Sequence, residues 1–316
     1  MKNILITSVG RRVELVKIWE KSLKKISDKN PILFVTDSNH EYSAACKGKN
    51  ILPICHCNDP KYVNTLLEQS IKNKVKIIVP TIDTELIYLS KNREFFKQNG
   101  IDILVSDEFL VSQCENKEFT FNLFLKLGLE TPKLFNREKL HFPCFMKPKK
   151  GSASKGLKKL FSENDLSINE RNNPSNIFQE LIPSNWIEYT ADLYYSKDGK
   201  LISCVPRERI ETRGGEISKG ITRKNYIFEF LVNKLKFLKG ARGPITVQLF
   251  ADINHSKFLF IEINPRFGGG YPISHAAGVN YPELIIKEYL LGESLSFFDD
   301  WRENLLALRY DSMVIN

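Results

Sequence analysis

Five short apolar runs, separated by amphipathic stretches, constrain what the first third of this chain can become. The runs are Ile4–Thr7, Ile32–Val35, Ile51–Ile54, Ile77–Pro80 and Ile101–Val105. Apolar residues at helical spacing fill the gaps between them, for example over Val13–Ser22 and Tyr62–Lys72. Strand–helix alternation of this kind predicts a parallel sheet with helices on both faces. The first strand turns through Ser8-Val-Gly-Arg-Arg12, which holds one glycine, so the dinucleotide-binding fingerprint G-x-G-x-x-G is absent.

Beyond residue 110 the pattern changes. A helix is predicted over Lys117–Leu127, stopped by Gly128 and followed by Pro132. A strand over Pro143–Lys147 runs into Gly151-Ser-Ala-Ser-Lys-Gly156. Small residues there let backbone N–H groups approach a polyphosphate, and Lys147, Lys149, Lys150 and Lys155 add point charges. A flexible surface hairpin would have a similar composition. Ile177–Ile182 reads as a strand ending at Pro183. Trp186–Tyr195 and Lys200–Pro206 read as antiparallel partners joined through Asp198-Gly199. Arg207–Gly220 is charged and glycine-rich and is expected to form a working loop. A helix about Ile227–Leu238, a strand over Ile245–Phe250 and a helix over Pro282–Leu291 follow, with a mobile loop expected at Phe267–Tyr271.

The chemistry concentrates in Phe258-Leu-Phe-Ile-Glu-Ile-Asn-Pro-Arg266. Burying a carboxylate on an apolar strand is costly unless a cation pairs with it. Glu262 and Asn264 lie two apart, so a strand points both to one face. Two hard oxygen ligands with an arginine just beyond suit a magnesium ion and the phosphate oxygens it bridges. Asp83 and Glu85, in Pro80-Thr-Ile-Asp-Thr-Glu85, follow a parallel strand, where ligand crevices form. They equally suit a helix N-terminus, and both readings stand.

Composition narrows the partners. The chain has 316 residues, 42% hydrophobic and 26% charged, within the range of globular proteins. No run approaches the length of a membrane span, and Met1-Lys-Asn-Ile-Leu enters a strand directly, so a cytoplasmic location is expected. Six cysteines are scattered, and Cys55-His-Cys57 lacks zinc-ribbon spacing, which predicts reduced thiols. The net charge of +9 comes largely from surface-like lysines without interleaved aromatics. No nucleic-acid partner is expected, although the excess charge suits anionic substrates.

In order and spacing these pieces resemble the ATP-grasp superfamily, in particular the carbamoyl-phosphate-synthase large-subunit type, over nearly the whole chain. Lys117-Glu-Phe-Thr resembles the approach to the ATP-binding lobe, and Phe145-Met-Lys-Pro with Gly151–Gly156 the phosphate strand and glycine loop. Gln179-Glu-Leu-Ile182 resembles the adenine hinge, Trp186-Ile-Glu-Tyr the ribose segment, and Gln248 with Glu262-x-Asn264-Pro-Arg266 the metal strands. The implied fold is α/β with α+β: a parallel pre-ATP-grasp domain at 1–112, then a two-lobed ATP-grasp domain at 113–316, divided into 113–183 and 184–316.

By the same resemblance, Lys117, Lys147, Gly151, Ser152 and Gly156 would hold phosphates. The Glu180 carbonyl and Ile182 N–H, flanked by Gln179 and Leu181, would read adenine, and Glu188 would bind ribose. Gln248, Glu262 and Asn264 would ligate magnesium, for which manganese can substitute. Arg266 would contact the γ-phosphate or an acylphosphate; from the residues of the glycine-rich segment, Arg207, Arg209 and Arg213 are candidates for carboxylate or acylphosphate contacts, or equally for salt pairs with Glu208, Glu211 and Glu216. Where the family's bicarbonate site has a second arginine, this chain has Gly269, so carbamoyl phosphate synthesis is not expected and room for a larger acceptor is. The expected activity is an ATP- and magnesium-dependent carboxylate–amine or carboxylate–thiol ligase acting on small molecules without a membrane partner, with a homodimer left open. The rival from another class is a nucleotide-binding regulatory or assembly subunit without turnover; a basic nucleic-acid binder is a second.

Overall fold

Ile4 and Ile6 on strand β1 (Asn3–Ile6) pack to one side and Leu5 to the other, so this strand is buried on both faces. The computed structural model describes residues 2–26, 31–151, 156–254 and 257–315. β1 lies in a parallel sheet with β2 (Leu33–Val35), β3 (Asn50–Ile51), β4 (Val75–Val79) and β5 (Asp102–Ile103), in the order β3-β2-β1-β4-β5. Helix α1 (Val13–Ile26) covers one face through Leu15, Val16 and Trp19. The other is covered by α2 (Tyr62–Lys72), α3 (Asp83–Lys91) and α4 (Arg93–Gln98). The doubly covered parallel sheet is the one the alternation predicts.

Helices α5 (Glu108–Glu115) and α6 (Lys117–Lys126) lead out of this sheet, each capped by its own side chain: Asp107 accepts from the Leu110 N–H and Asn116 from the Glu118 N–H. α6 ends where Gly128 takes a φ of +68°, with the Leu129 N–H bonded back to Phe124 O. Four antiparallel strands follow: β6 (Leu134–Phe135), β7 (Cys144–Pro148), β8 (Lys158–Leu160) and β9 (Asn176–Glu180), in the order β6-β9-β7-β8 with α7 (Ile168–Asn172) between β8 and β9.

The last sheet is antiparallel throughout: β10 (Ile187–Tyr195), β11 (Leu201–Arg213), β12 (Glu216–Thr222), β13 (Gly243–Ala251), β14 (Phe258–Asn264) and β15 (Leu306–Leu308), in the order β14-β13-β10-β11-β12-β15. Helices α8 (Tyr226–Leu235), α9 (Tyr271–Ala276) and α10 (Tyr281–Ile285) complete the chain, and α10 continues into a π-helical turn at Ile286–Leu291. Trp19 of α1 meets Phe267 edge-on at 6.4 Å, and Phe267, Tyr271 and Tyr281 stack onward, so α1 and the six-stranded sheet share one core.

Two local expectations fail. Arg207–Gly220 is not a loop: β11 runs on to Arg213, reverses at Gly214-Gly215 with φ of +58° and +78°, and returns as β12. Two positive-φ residues make the tight hairpin turn that matches strand twist, and the charged residues sit on strands that keep alternating. Nor is Phe267–Tyr271 a mobile loop, since Phe267, Gly268, Gly270 and Tyr271 are buried.

Candidate active site

β10 and β13 pair Thr190 with Gln248, and β13 and β14 pair Gln248 with Glu262. One register step along, Asp192, Thr246 and Asn264 line up in the same way. Residues opposite each other in an antiparallel ladder share a face, so one side of the sheet carries a polar row among apolar neighbours. A bulge beside Glu262 lets Gln248 pair with Glu262 while Leu249 pairs with Phe260. The extra residue, Ile261, re-aims the strand at the acidic position.

Cations close over this row from two directions. Lys147, on β7, is 3% exposed, with its ammonium 4.7 Å from the Phe121 ring centroid. Burial pushes its pKa down to about 7, against the attraction of Glu262 and with the repulsion of Lys117. Lys117, the first residue of α6, holds the start of the glycine loop by donating to Gly151 O at 2.9 Å, and its N–H bonds Lys149 O. Ser152 and Lys155 lie outside the described residues; Gly156 takes a φ of +71° against the Pro148 ring.

Arg266 donates to Asp83 at 2.7 Å, a contact 183 residues apart in sequence. Burial disfavours its charge, but Asp83, then Glu262 and Glu216, carry its pKa above the ordinary arginine value. Arg12, from the loop after β1, bonds Thr81 O and Phe267 O. Burial and then the neighbouring Arg266 lower its pKa to about 10. Asp83 is therefore an ion-pair partner of Arg266. Glu85 is the helix cap: its carboxylate accepts from the Thr81 and Ile82 N–H groups, Tyr62 Oη and Ser8 Oγ.

Glu188 sits on the same sheet face in an ion pair with Arg209 at 3.3 Å, its pKa raised chiefly by burial. Arg209 also reaches Thr190 Oγ1. Arg207 is 1% exposed and paired with Asp192 at 2.9 Å, beneath Gly270. Arg213 is not brought to this group; it pairs with Asp311 on the exposed surface. At the hinge, Gln179 is buried and its amide oxygen has no partner among the described residues, while Leu181 and Ile182 are half-buried beyond β9. The Glu180 N–H bonds Lys133 O.

The glycines after Arg266 do not open room for an acceptor. A Cβ on Gly268 would meet Thr246 Oγ1 at 2.7 Å, on Gly269 the Glu216 carboxylate at 2.9 Å, and on Gly270 the Arg207 guanidinium at 1.9 Å. They let the backbone lie directly on charged side chains. The sequence reading assigned no role to Arg12, for which two adjacent arginines just after a strand were the available signal; Glu216, expected as a salt-pair partner of the loop arginines, pairs with Arg11 and Arg309. Among the described residues no three of His, Cys, Asp and Glu form a metal cluster. Magnesium needs few protein ligands beside phosphate oxygens and water, so one carboxylate, Glu262, with the Gln248 and Asn264 amides fits it.

Comparisons with known proteins agree with this architecture. The family model described as the PylC-like N-terminal domain matches residues 4–104, and the model described as ATP-grasp in the biosynthetic pathway with Ter operon matches residues 174–305. Neither names the carbamoyl-phosphate-synthase type. No curated protein matches the chain. Among solved structures, the biotin carboxylase domain of 2-oxoglutarate carboxylase from Hydrogenobacter thermophilus, with MgADP and bicarbonate, is similar at a TM-score of 0.73 and 15% identity, over 97% of this chain and 73% of that one. The N5-carboxyaminoimidazole synthetase from Staphylococcus aureus with ADP gives 0.72 and 17%, over 98% and 81%. The L-amino acid ligase from Bacillus licheniformis gives 0.68 and 16%, over 92% and 74%. At these identities the likeness shows the fold. The chain thus carries a PylC-like N-terminal domain followed by an ATP-grasp domain.

Proposed function

We propose that this protein is an ATP- and magnesium-dependent ligase that joins a substrate carboxylate to an amine or other nucleophile. The supporting observation is the polar row of Gln248, Glu262 and Asn264, with the desolvated Lys147 ammonium in electrostatic reach of Glu262. Such an arrangement suits holding polyphosphate oxygens and their counter-ion. Two of the similar solved structures contain ADP, and one of those contains it with magnesium and bicarbonate.

In this reading Lys117 and Lys147 hold the phosphates, the 179–182 hinge takes adenine and Glu188 takes ribose. Glu262, Gln248 and Asn264 would hold magnesium, which neutralises charge on the transferring phosphoryl oxygens. Arg266 reaches the γ-phosphate from its anchor on Asp83. A carboxylate oxygen attacks the γ-phosphorus and ADP leaves, giving an acylphosphate. The nucleophile then attacks its carbonyl carbon; the C–O bond breaks, phosphate takes the electron pair, and the nucleophile loses a proton. Alignment and charge neutralisation supply the catalysis. The division at residue 112, with lobes at 113–183 and 184–316, belongs to the same proposal.

The test is ADP release with pooled carboxylates and amines. Turnover dependent on both pools and magnesium supports the ligase. Tight ATP binding without turnover in any pool would overturn it in favour of a non-catalytic module.

A further inference from the structure

The N-terminal sheet contains a cavity that the ATP-binding reading does not use. It measures about 180 Å³ and lies at the carboxyl ends of β1, β2 and β3, bounded by Ser8, Asp37, His56, Tyr62 and Ile82 among others. In the order β3-β2-β1-β4-β5 the connections change side between β1 and β4, the crevice where open parallel sheets bind ligands, and the cavity adjoins it through Ser8 and Ile82. At ~30 Å³ per water the space holds about six waters, the size of a small metabolite.

The wall is acidic. Asp37 accepts from the Gly10 N–H at 2.8 Å and the Asn39 N–H at 3.0 Å, which leaves lone pairs free. Ser8 is held at a φ of +54°, a strained conformation for serine, with its hydroxyl on Glu85. The Tyr62 hydroxyl reaches the same carboxylate. Thr36 in the wall is 2% exposed and its hydroxyl has no hydrogen-bond partner among the described residues. Among the described residues no lysine or arginine lines the space. A group with several N–H donors and positive charge would be complemented by the free lone pairs of Asp37.

We propose that this cavity binds a small primary amine, the nucleophile of the ligation. The role rests on the ligase reading; the binding does not. The cavity shares the Ser8–Arg12 turn and the Ile82–Asp83 step with the Arg266 anchor, so an amine seated there adjoins the transfer site.

Calorimetric titration with ethanolamine, 1,4-diaminobutane, L-lysine and glycine tests it, with inorganic phosphate as the anionic control, each in the presence and absence of MgATP. At least one amine should bind wild type. Its affinity should fall tenfold or more in Asp37→Asn and in Ser38→Arg, the latter placing a cation at an exposed rim position that leaves the fold intact. No binding by any amine, or binding indifferent to both substitutions, overturns the proposal. Amine binding that survives Glu262→Gln and depends on Asp37 and Ser38, in a protein without amine-stimulated ADP release, would keep the site and refute the ligase role.

Discussion

At the scale of single residues, the proposed chemistry rests chiefly on Lys147 and Glu262. Lys147 is a buried ammonium whose folded-state pKa, about 7, lies below the ordinary lysine value. Below pH 7 the folded state bears the cost of that charge in full. As pH rises from 7 toward 10.5 the folded form releases its proton first, so this group's penalty fades and stability rises. Lys147→Met should therefore be more stable than wild type at pH 6–7, and chemical denaturation should show the gap narrowing by pH 9. Bound ATP should raise the Lys147 pKa and shrink the same gap at neutral pH. Glu262→Gln keeps shape and burial but loses the charge. We expect ADP release to fall by about 100-fold or more with little change in melting temperature; near-wild-type turnover would remove Glu262 from the site. The sequence made Glu262 legible because an acid interrupts an apolar strand. It could not reveal the Lys147–Glu262 approach, since propinquity across two sheets has no local signature.

At the scale of elements, the glycine run and the long hairpin behave differently from their composition. A charged, glycine-rich segment reads as a loop when residues are weighed one by one. Here Gly214-Gly215 makes a two-residue turn, and the rest pairs as strands. Gly268–Gly270 are packing residues. A methyl at Gly270 meets Arg207, which is held by Asp192 and 1% exposed, so the clash has no cheap escape. Gly270→Ala should cost about 2–4 kcal/mol. Gly269→Ala meets the end of the Glu216 side chain, which can shift, and should cost roughly 1 kcal/mol or less. Equilibrium denaturation ranks the two; equal costs would mean that the backbone in this segment yields more than its burial indicates.

At the scale of the whole molecule, the N-terminal sheet is tied to the end of β14 through Arg266, Asp83 and Arg12. A double-mutant cycle on Asp83→Asn and Arg266→Lys, read as kcat/KM for ADP release, should give a coupling of about 1–3 kcal/mol. Additive effects would mean that the ion pair does not orient Arg266. The sequence by itself determined the parallel sheet, the later antiparallel strands and the acid–amide strand, because periodicity, turn residues and a carboxylate in an apolar run are local properties. Tertiary structure alone decided that Glu85 caps a helix while Asp83 reaches Arg266. It likewise decided that Arg209 lies on the site's face while Arg213 does not, and that three glycines seal rather than open the ground beyond Arg266. Those outcomes depend on which distant surfaces meet, and a carboxylate or guanidinium takes its role from the partner that burial leaves within reach.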